Sequence, residues 1–240
     1  MRAIPEIAPV APVRTDVFAV LDPGNQDTQA WSRPGRWRQP DPGGPGALVR
    51  LTEHLTSWTP TGATIWLVET TGHTTTCGDR LVAPATRLVC PIGVLTPRVL
   101  RMAACAYAEA VAGHHGHNPV CMGAITTARL HAQDLIDASR LTAARDAVWR
   151  TGATPSMAAA AATVLDDPAS ALMTASTVAA HAAALTAADA APRDTAWITR
   201  TVTMARARRE HGRILTALTR AWGATPATAH RQLTLDEVAA

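Results

Sequence analysis

The apolar positions of this chain change pattern near residue 95. Before it they come in short continuous runs. After it they recur at helical spacing. Val17-Phe-Ala-Val-Leu, closed by the turn signal Pro23-Gly24-Asn25, and Thr64-Ile-Trp-Leu-Val read as buried strands. Between them Leu48, Leu51, Leu55 and Trp58 lie three to four residues apart and predict a helix over 46–58. Strand, helix, strand in that order predicts a small α/β unit with a parallel pair. Arg80-Leu-Val-Ala-Pro and Arg87-Leu-Val-Cys-Pro read as the arms of a hairpin, held to edge positions by their prolines. Residues 31–46 hold four prolines and four glycines and read as loop, and residues 1–16, with three prolines, as an irregular arm.

From Thr96 the pattern is helical. Thr96 caps and Pro97 opens a helix through Leu100, Ala103, Ala104, Tyr107 and Val111, which Gly113 is expected to stop. A polar loop, His114–Val120, leads to a long helix over about 124–150, with Ile125, Leu130, Leu135, Ile136, Leu141, Val148 and Trp149 on its apolar side. Residues 153–191 are Ala-rich and predict two helices broken at Asp166-Asp167-Pro168. A further helix over about 195–221 follows Pro192-Arg193-Asp194. Helices with so few large side chains give thin cores, so they are expected to pack closely on each other or on a partner chain. The expected fold is mixed α+β: a small N-terminal α/β unit, then an Ala-rich all-helical half. Its divisions are an arm over 1–16, the α/β unit over 17–95, a helical region over 96–194, and a basic helix with a helix-turn-helix over 195–240.

That last element rests on Leu218-Thr-Arg-Ala-Trp-Gly-Ala-Thr-Pro-Ala-Thr-Ala-His-Arg-Gln-Leu233. Ala221 is small, Gly223 is placed for a turn of positive φ, Thr225 is a good N-cap and Pro226 suits the first helical position. Ala229 and Leu233 repeat at i, i+4. The stretch resembles the helix-turn-helix of bacterial DNA-binding proteins. The resemblance implies a recognition helix in the major groove, with Ala227, Thr228, His230 and Arg231 meeting base edges. Gly152-Ala-Thr-Pro-Ser is a near-repeat of Gly223-Ala-Thr-Pro-Ala. It reads as the same C-cap and N-cap grammar used twice, because the residues after it up to Thr163 are only Ala, Ser and Met, which cannot read a base.

Charge agrees with a DNA-binding end. All 22 basic residues are Arg, a bias that weakens any argument from their number. Their clustering still carries information. Residues 200–231 hold Arg200, Arg206, Arg208, Arg209, Arg213, Arg220 and Arg231 against one acid, Glu210, while residues 1–199 are near neutral. Phosphate binding needs such a local excess. Dimerisation is expected, since one short helix-turn-helix reads few bases alone. The N-terminal residues lack a leader pattern, and no uninterrupted apolar run approaches the ~20 residues of a membrane span, so a cytoplasmic protein without membrane attachment is expected. Cys77, Cys90, Cys105 and Cys121 form no C-x-x-C pair and are expected to be buried thiols.

A second resemblance lies in Asp22-Pro-Gly-Asn-Gln-Asp-Thr28, in Glu69 at the end of an apolar strand, and in Asp134-Leu-Ile-Asp137-Ala138. Together these resemble RuvC-type Holliday-junction resolvases, within the RNase H-like nucleases. That resemblance implies a catalytic set of Asp22, Glu69, Asp134 and Asp137 holding two Mg²⁺ ions, the last pair on one helix, for hydrolysis of branched DNA. A third group is His114, His115, His117 and Cys121, within eight residues, offering His-x-His and a thiolate to a metal. Trp31 and Trp37, beside Arg33, Arg36 and Arg38, offer rings for stacking on single-stranded bases. No nucleophile elbow, phosphate loop or dinucleotide fingerprint occurs. Three functions therefore stand as expectations: DNA binding in regulation, replication or maintenance of a mobile element; a Mg²⁺-dependent junction endonuclease; and a non-enzymatic helical interaction protein forming a homo-oligomer.

Overall fold

The computed structural model describes residues 13–21, 35, 37, 50–52, 61–72, 74–77, 80–115, 118–152 and 154–223. The chain divides into two compact units, Met1–Glu53 with Ile65–Pro91, and His54–Thr64 with Ile92–Ala240. The basic helix thus belongs to the same unit as the helices before it.

The strands are β1 (Val13–Leu21), β2 (Arg50–Thr52), β3 (Thr64–Thr71), β4 (Thr75–Cys77), β5 (Arg80–Val82) and β6 (Ala85–Val94). All lie in the first unit except Thr64 and Ile92–Val94, which belong to the second. They form one sheet in the order β4-β5-β2-β1-β3-β6. The pairs β1–β2, β2–β5 and β4–β5 are antiparallel, with Ala19 opposite Leu51, Leu51 opposite Leu81 and Thr76 opposite Leu81. Alternation sets the buried face: Val17, Ala19 and Leu21 of β1 are buried, and Phe18 and Val20 less so. These three join Trp66, Val68, Ala83 and Leu88 in one apolar cluster.

Three expectations change here. Residues 50–52, placed in a helix over 46–58, are strand; the rest of that span lies outside the described residues. Val13–Asp16, placed in the arm, belong to β1. β5 pairs with β4 and β2 instead of forming a hairpin with β6, which nevertheless takes the edge that Pro91 requires.

The second unit holds the helices α1 (Pro97–His115), α2 (Pro119–Ala132), α3 (Ala138–Thr151), α4 (Pro155–Thr163), α5 (Pro168–Asp189) and α6 (Ala196–Trp222). Their starts follow local chemistry. Asn118, Asp137, Thr154 and Asp167 each accept a backbone N–H of the first turn, and a proline opens α2, α4 and α5. Gly152 with φ 128° and Thr154 give the cap grammar expected of the near-repeat. α1 buries Leu100, Ala103, Ala104, Tyr107 and Val111, as its spacing predicts, and runs past Gly113 to His115.

α5 packs against α1, α4 and α6. Alanine dominates the buried side of α5, so the axes must approach closely for these small groups to touch. By length and composition α5 is the one helix among the described residues apolar enough to cross a membrane. The apolarity is an average that Ser, Thr and His interrupt, which is why no run stood out in the sequence.

The long helix expected over 124–150 is two helices. After α2, the Asp134 N–H donates to the carbonyl of His131 at 3.0 Å and the Leu135 N–H to that of Leu130 at 3.0 Å. Asp134 itself has φ 58°. This is a Schellman ending with aspartate in the left-handed position usually given to glycine. The break re-phases the apolar face: Ile125, Leu141 and Val148 are buried, whereas Leu130, Leu135 and Trp149 are exposed.

Candidate nucleic-acid interface

α6 starts two residues after the Pro192-Arg193-Asp194 break and runs for 27 residues. Its inner side buries His211, Gly212, Leu215, Thr216 and Thr219. Its six arginines, Arg200, Arg206, Arg208, Arg209, Arg213 and Arg220, are all exposed. At about 100° per residue, Arg206, Arg209, Arg213 and Arg220 fall within about 60° of one another around the axis. They therefore form one stripe about 21 Å long. The one acid of α6 is Glu210, which accepts from Arg213 at 3.2 Å across the exposed surface. Arg208 lies to the side of the stripe and Arg200 on the opposite side of the helix.

The helix end is held firmly within its unit. Gly223 is extended, with φ −73°, so the positive φ expected of it does not occur. Glycine is required there for room. A Cβ would lie 2.5 Å from the carbonyl oxygen of Thr219 and 2.8 Å from that of Val94. At Gly93 a Cβ would meet the same Thr219 oxygen at 2.7 Å. Trp222 is covered by the Arg98 guanidinium of α1, 4.0 Å from the ring centroid. Ala221, expected to pack on a following helix, is exposed among the described residues. Thr225, Ala227, Thr228, His230 and Arg231 lie outside the described residues.

Of the four acids of the resolvase resemblance, Glu69 and Asp137 have other partners. Asp22 lies outside the described residues. Glu69, on β3, accepts from the Arg87 Nε at 2.5 Å, and that guanidinium sits 4.8 Å from the Trp37 ring centroid. Asp134 and Asp137 do not share a helix face, because the chain turns between α2 and α3. Asp137 caps α3, accepting from the Ser139 hydroxyl at 2.5 Å and from the N–H groups of Ser139 and Arg140. The Ser139 hydroxyl and the Arg140 N–H hold its carboxyl below the usual range. Glu69 belongs to the strand unit, and Asp134 and Asp137 to the helical one. A carboxylate in an ion pair, one closing a helix and one in a left-handed turn do not make the donor set that two Mg²⁺ ions require.

His114 and His115 end α1, His117 lies outside the described residues, and Cys121 is buried in α2. Among the described residues no three His, Cys, Asp or Glu side chains come together. Cys105 is also buried, its thiol pushed up to about 12 by desolvation. Cys90, expected inside, is exposed on β6. Of the tryptophan pair, Trp37 is exposed and lies beside the Arg87 guanidinium, and Trp31 lies outside the described residues. An open groove of about 550 Å³ between α2 and α3 is apolar apart from Arg140 and Thr127 and holds no acid, thiol or imidazole.

Comparison with protein-family models, curated proteins and solved structures gives no match.

Proposed function

We propose that this chain binds DNA through α6 and the segment that follows it. The observation that carries the reading is the stripe of Arg206, Arg209, Arg213 and Arg220 on one exposed face. Four cations in line, with one acid beside them, suit a polyanion whose charges recur every few ångströms along its length. Ala227, Thr228, His230 and Arg231 are assigned to base edges, with Thr225 as the cap of their helix, on the helix-turn-helix resemblance. The fixed end of α6, wedged by Gly93 and Gly223 and stacked under Arg98, supports this division of labour. It gives the segment after Gly223 a rigid point of departure.

The test is fluorescence anisotropy with duplex and four-way-junction DNA across a salt series, using the full chain and an Arg206→Gln/Arg209→Gln/Arg213→Gln/Arg220→Gln variant. Binding that weakens steeply with salt and is lost in the variant is expected. No binding at low salt, or equal binding by the variant, would overturn the reading. The junction nuclease has less support, because three of the four acids it needs, Glu69, Asp134 and Asp137, serve as ion pair, turn and cap.

A further inference from the structure

The first turns of α6 carry a second surface, apolar instead of cationic. Trp197, Ile198 and Val202 are exposed by 68%, 46% and 57%. With Thr201 and Ala205, also exposed, they recur at i, i+1, i+4, i+5 and i+8 and so share one outward face. The Thr201 hydroxyl donates back to the Trp197 carbonyl at 3.0 Å, which leaves its methyl group to the surface. A contiguous apolar face of this kind is uncommon on an isolated molecule.

The charges flanking this face choose its partner. Asp194 precedes it, and Arg209 follows it on the same side of the helix, both exposed. The order is therefore an acid, an apolar centre, then a cation. Reversed and laid against itself, the pattern is complementary. With a two-fold axis between Thr201 and Val202, Asp194 faces Arg209 of the copy. The same register sets Ile198 against Ala205, large against small. Arg200 lies on the other side of the helix and takes no part.

We propose that α6 of one chain packs antiparallel on α6 of a second copy through this face. The contact is isologous, with each residue used twice. It requires no DNA and is tested without it, because Arg209 belongs both to this contact and to the stripe of the proposed function. It leaves Arg213 and Arg220 of both copies clear of the contact.

The experiment is sedimentation equilibrium of the full chain without DNA. Wild type is compared with Val202→Glu, Asp194→Arg, Arg209→Asp and the swapped pair Asp194→Arg/Arg209→Asp. All four changes are at exposed positions, and circular dichroism checks that each variant is folded. Wild type is expected to be a dimer and Val202→Glu a monomer. Each single charge reversal is expected to raise the dimer dissociation constant about fivefold, and the swap to restore it. A monomeric wild type at high micromolar concentration, or a dimer indifferent to Val202→Glu, would overturn the proposal. Failure of the swap to restore dimerisation would overturn its antiparallel register.

Discussion

Tyr107 and His211 hold α1 and α6 together by two contacts at once. The Tyr107 hydroxyl donates to the main-chain carbonyl of His211 at 2.6 Å, and their rings stack with centroids 4.1 Å apart. Burial pushes the phenol up, so Tyr107 stays a donor. Tyr107→Phe keeps the stack and loses the bond, and is expected to lower stability by about 1 kcal/mol. Tyr107→Ala also opens a cavity and is expected to cost about 3–5 kcal/mol. Urea denaturation of the two variants separates these contributions.

The imidazole of His211 predicts a pH dependence. Its Nδ1 lies 2.9 Å from the Ser176 hydroxyl, and burial lowers its pKa from 6.5 to about 4, against a smaller opposing pull from Glu210. The folded state therefore favours neutral His211, while the unfolded chain takes up a proton below pH 6.5. Stability is expected to fall as pH drops from about 6.5 to about 4 and then level off, by about 3 kcal/mol in all. His211→Gln is expected to remove this part of the slope. Thermal melts of both proteins across the window check it through their difference, which cancels the titration shared by the carboxylates.

Three glycines separate space from conformation. Gly223→Ala drives a Cβ onto backbone atoms of Thr219 and Val94 that cannot move aside separately, and is expected to cost more than about 2 kcal/mol. Gly93→Ala meets the same carbonyl and adds a φ of 157°. Gly113 lies exposed inside α1 with nothing within 4 Å of an added Cβ. Gly113→Ala is therefore expected to stabilise by about 0.5–1 kcal/mol. Melting temperatures moving in opposite directions would check the contrast. A harmless Gly223→Ala would disprove the wedge at the end of α6.

Asp134 tests the turn between α2 and α3 against the resolvase resemblance. At φ 58° glycine is at no disadvantage to aspartate, and a β-branched residue is strained. Asp134→Gly is expected to melt at or above the wild-type temperature, and Asp134→Val to lose about 1–2 kcal/mol. If Asp134 were held for metal binding alone, the backbone preference would not order the two variants in this way. Equal melting temperatures for both would exclude the left-handed turn.

The ease of reading the sequence followed its local signals. α1, α5 and the Gly152-Ala-Thr-Pro caps stood out because spacing, proline and cap residue agreed. The break at 133–137 did not, because the apolar pattern runs through it and neither Gly nor Pro marks it. Its one signal was Asp137 two residues before Ser139, an N-cap hidden inside an apparent helix. Leu51 fits a helix with Leu48 and Leu55, and its strand pairing depends on β1 and β5, which lie far away in sequence. The arginine cluster was visible at once, and the spacing of 206, 213 and 220 already implied one face. The apolar face of Trp197, Ile198 and Val202 was not, since large side chains at helical spacing are normally read as core. Gly223 was recognised as special for the wrong reason. Lack of room is set by the Thr219 carbonyl together with Val94, and Val94 is more than a hundred residues away and leaves no trace in the residues beside Gly223.

The stripe on α6 also makes a residue-by-residue prediction about salt. A cation that meets a phosphate displaces condensed counterions, so losing it lowers the slope of log K against log salt by about 0.9. Arg206→Gln and Arg220→Gln are each expected to weaken DNA binding and flatten that slope by roughly this amount, whatever the DNA sequence. Arg213→Gln is expected to do less, because Glu210 already offsets part of its charge at 3.2 Å. Arg200→Gln is the internal control. It removes the same charge from the same helix, but from the side opposite the stripe, and is expected to leave the slope unchanged. Anisotropy titrations of the four variants on one duplex at several salt concentrations decide the matter. Equal effects from Arg200 and Arg206 would mean that net charge, and not this face of α6, governs the association.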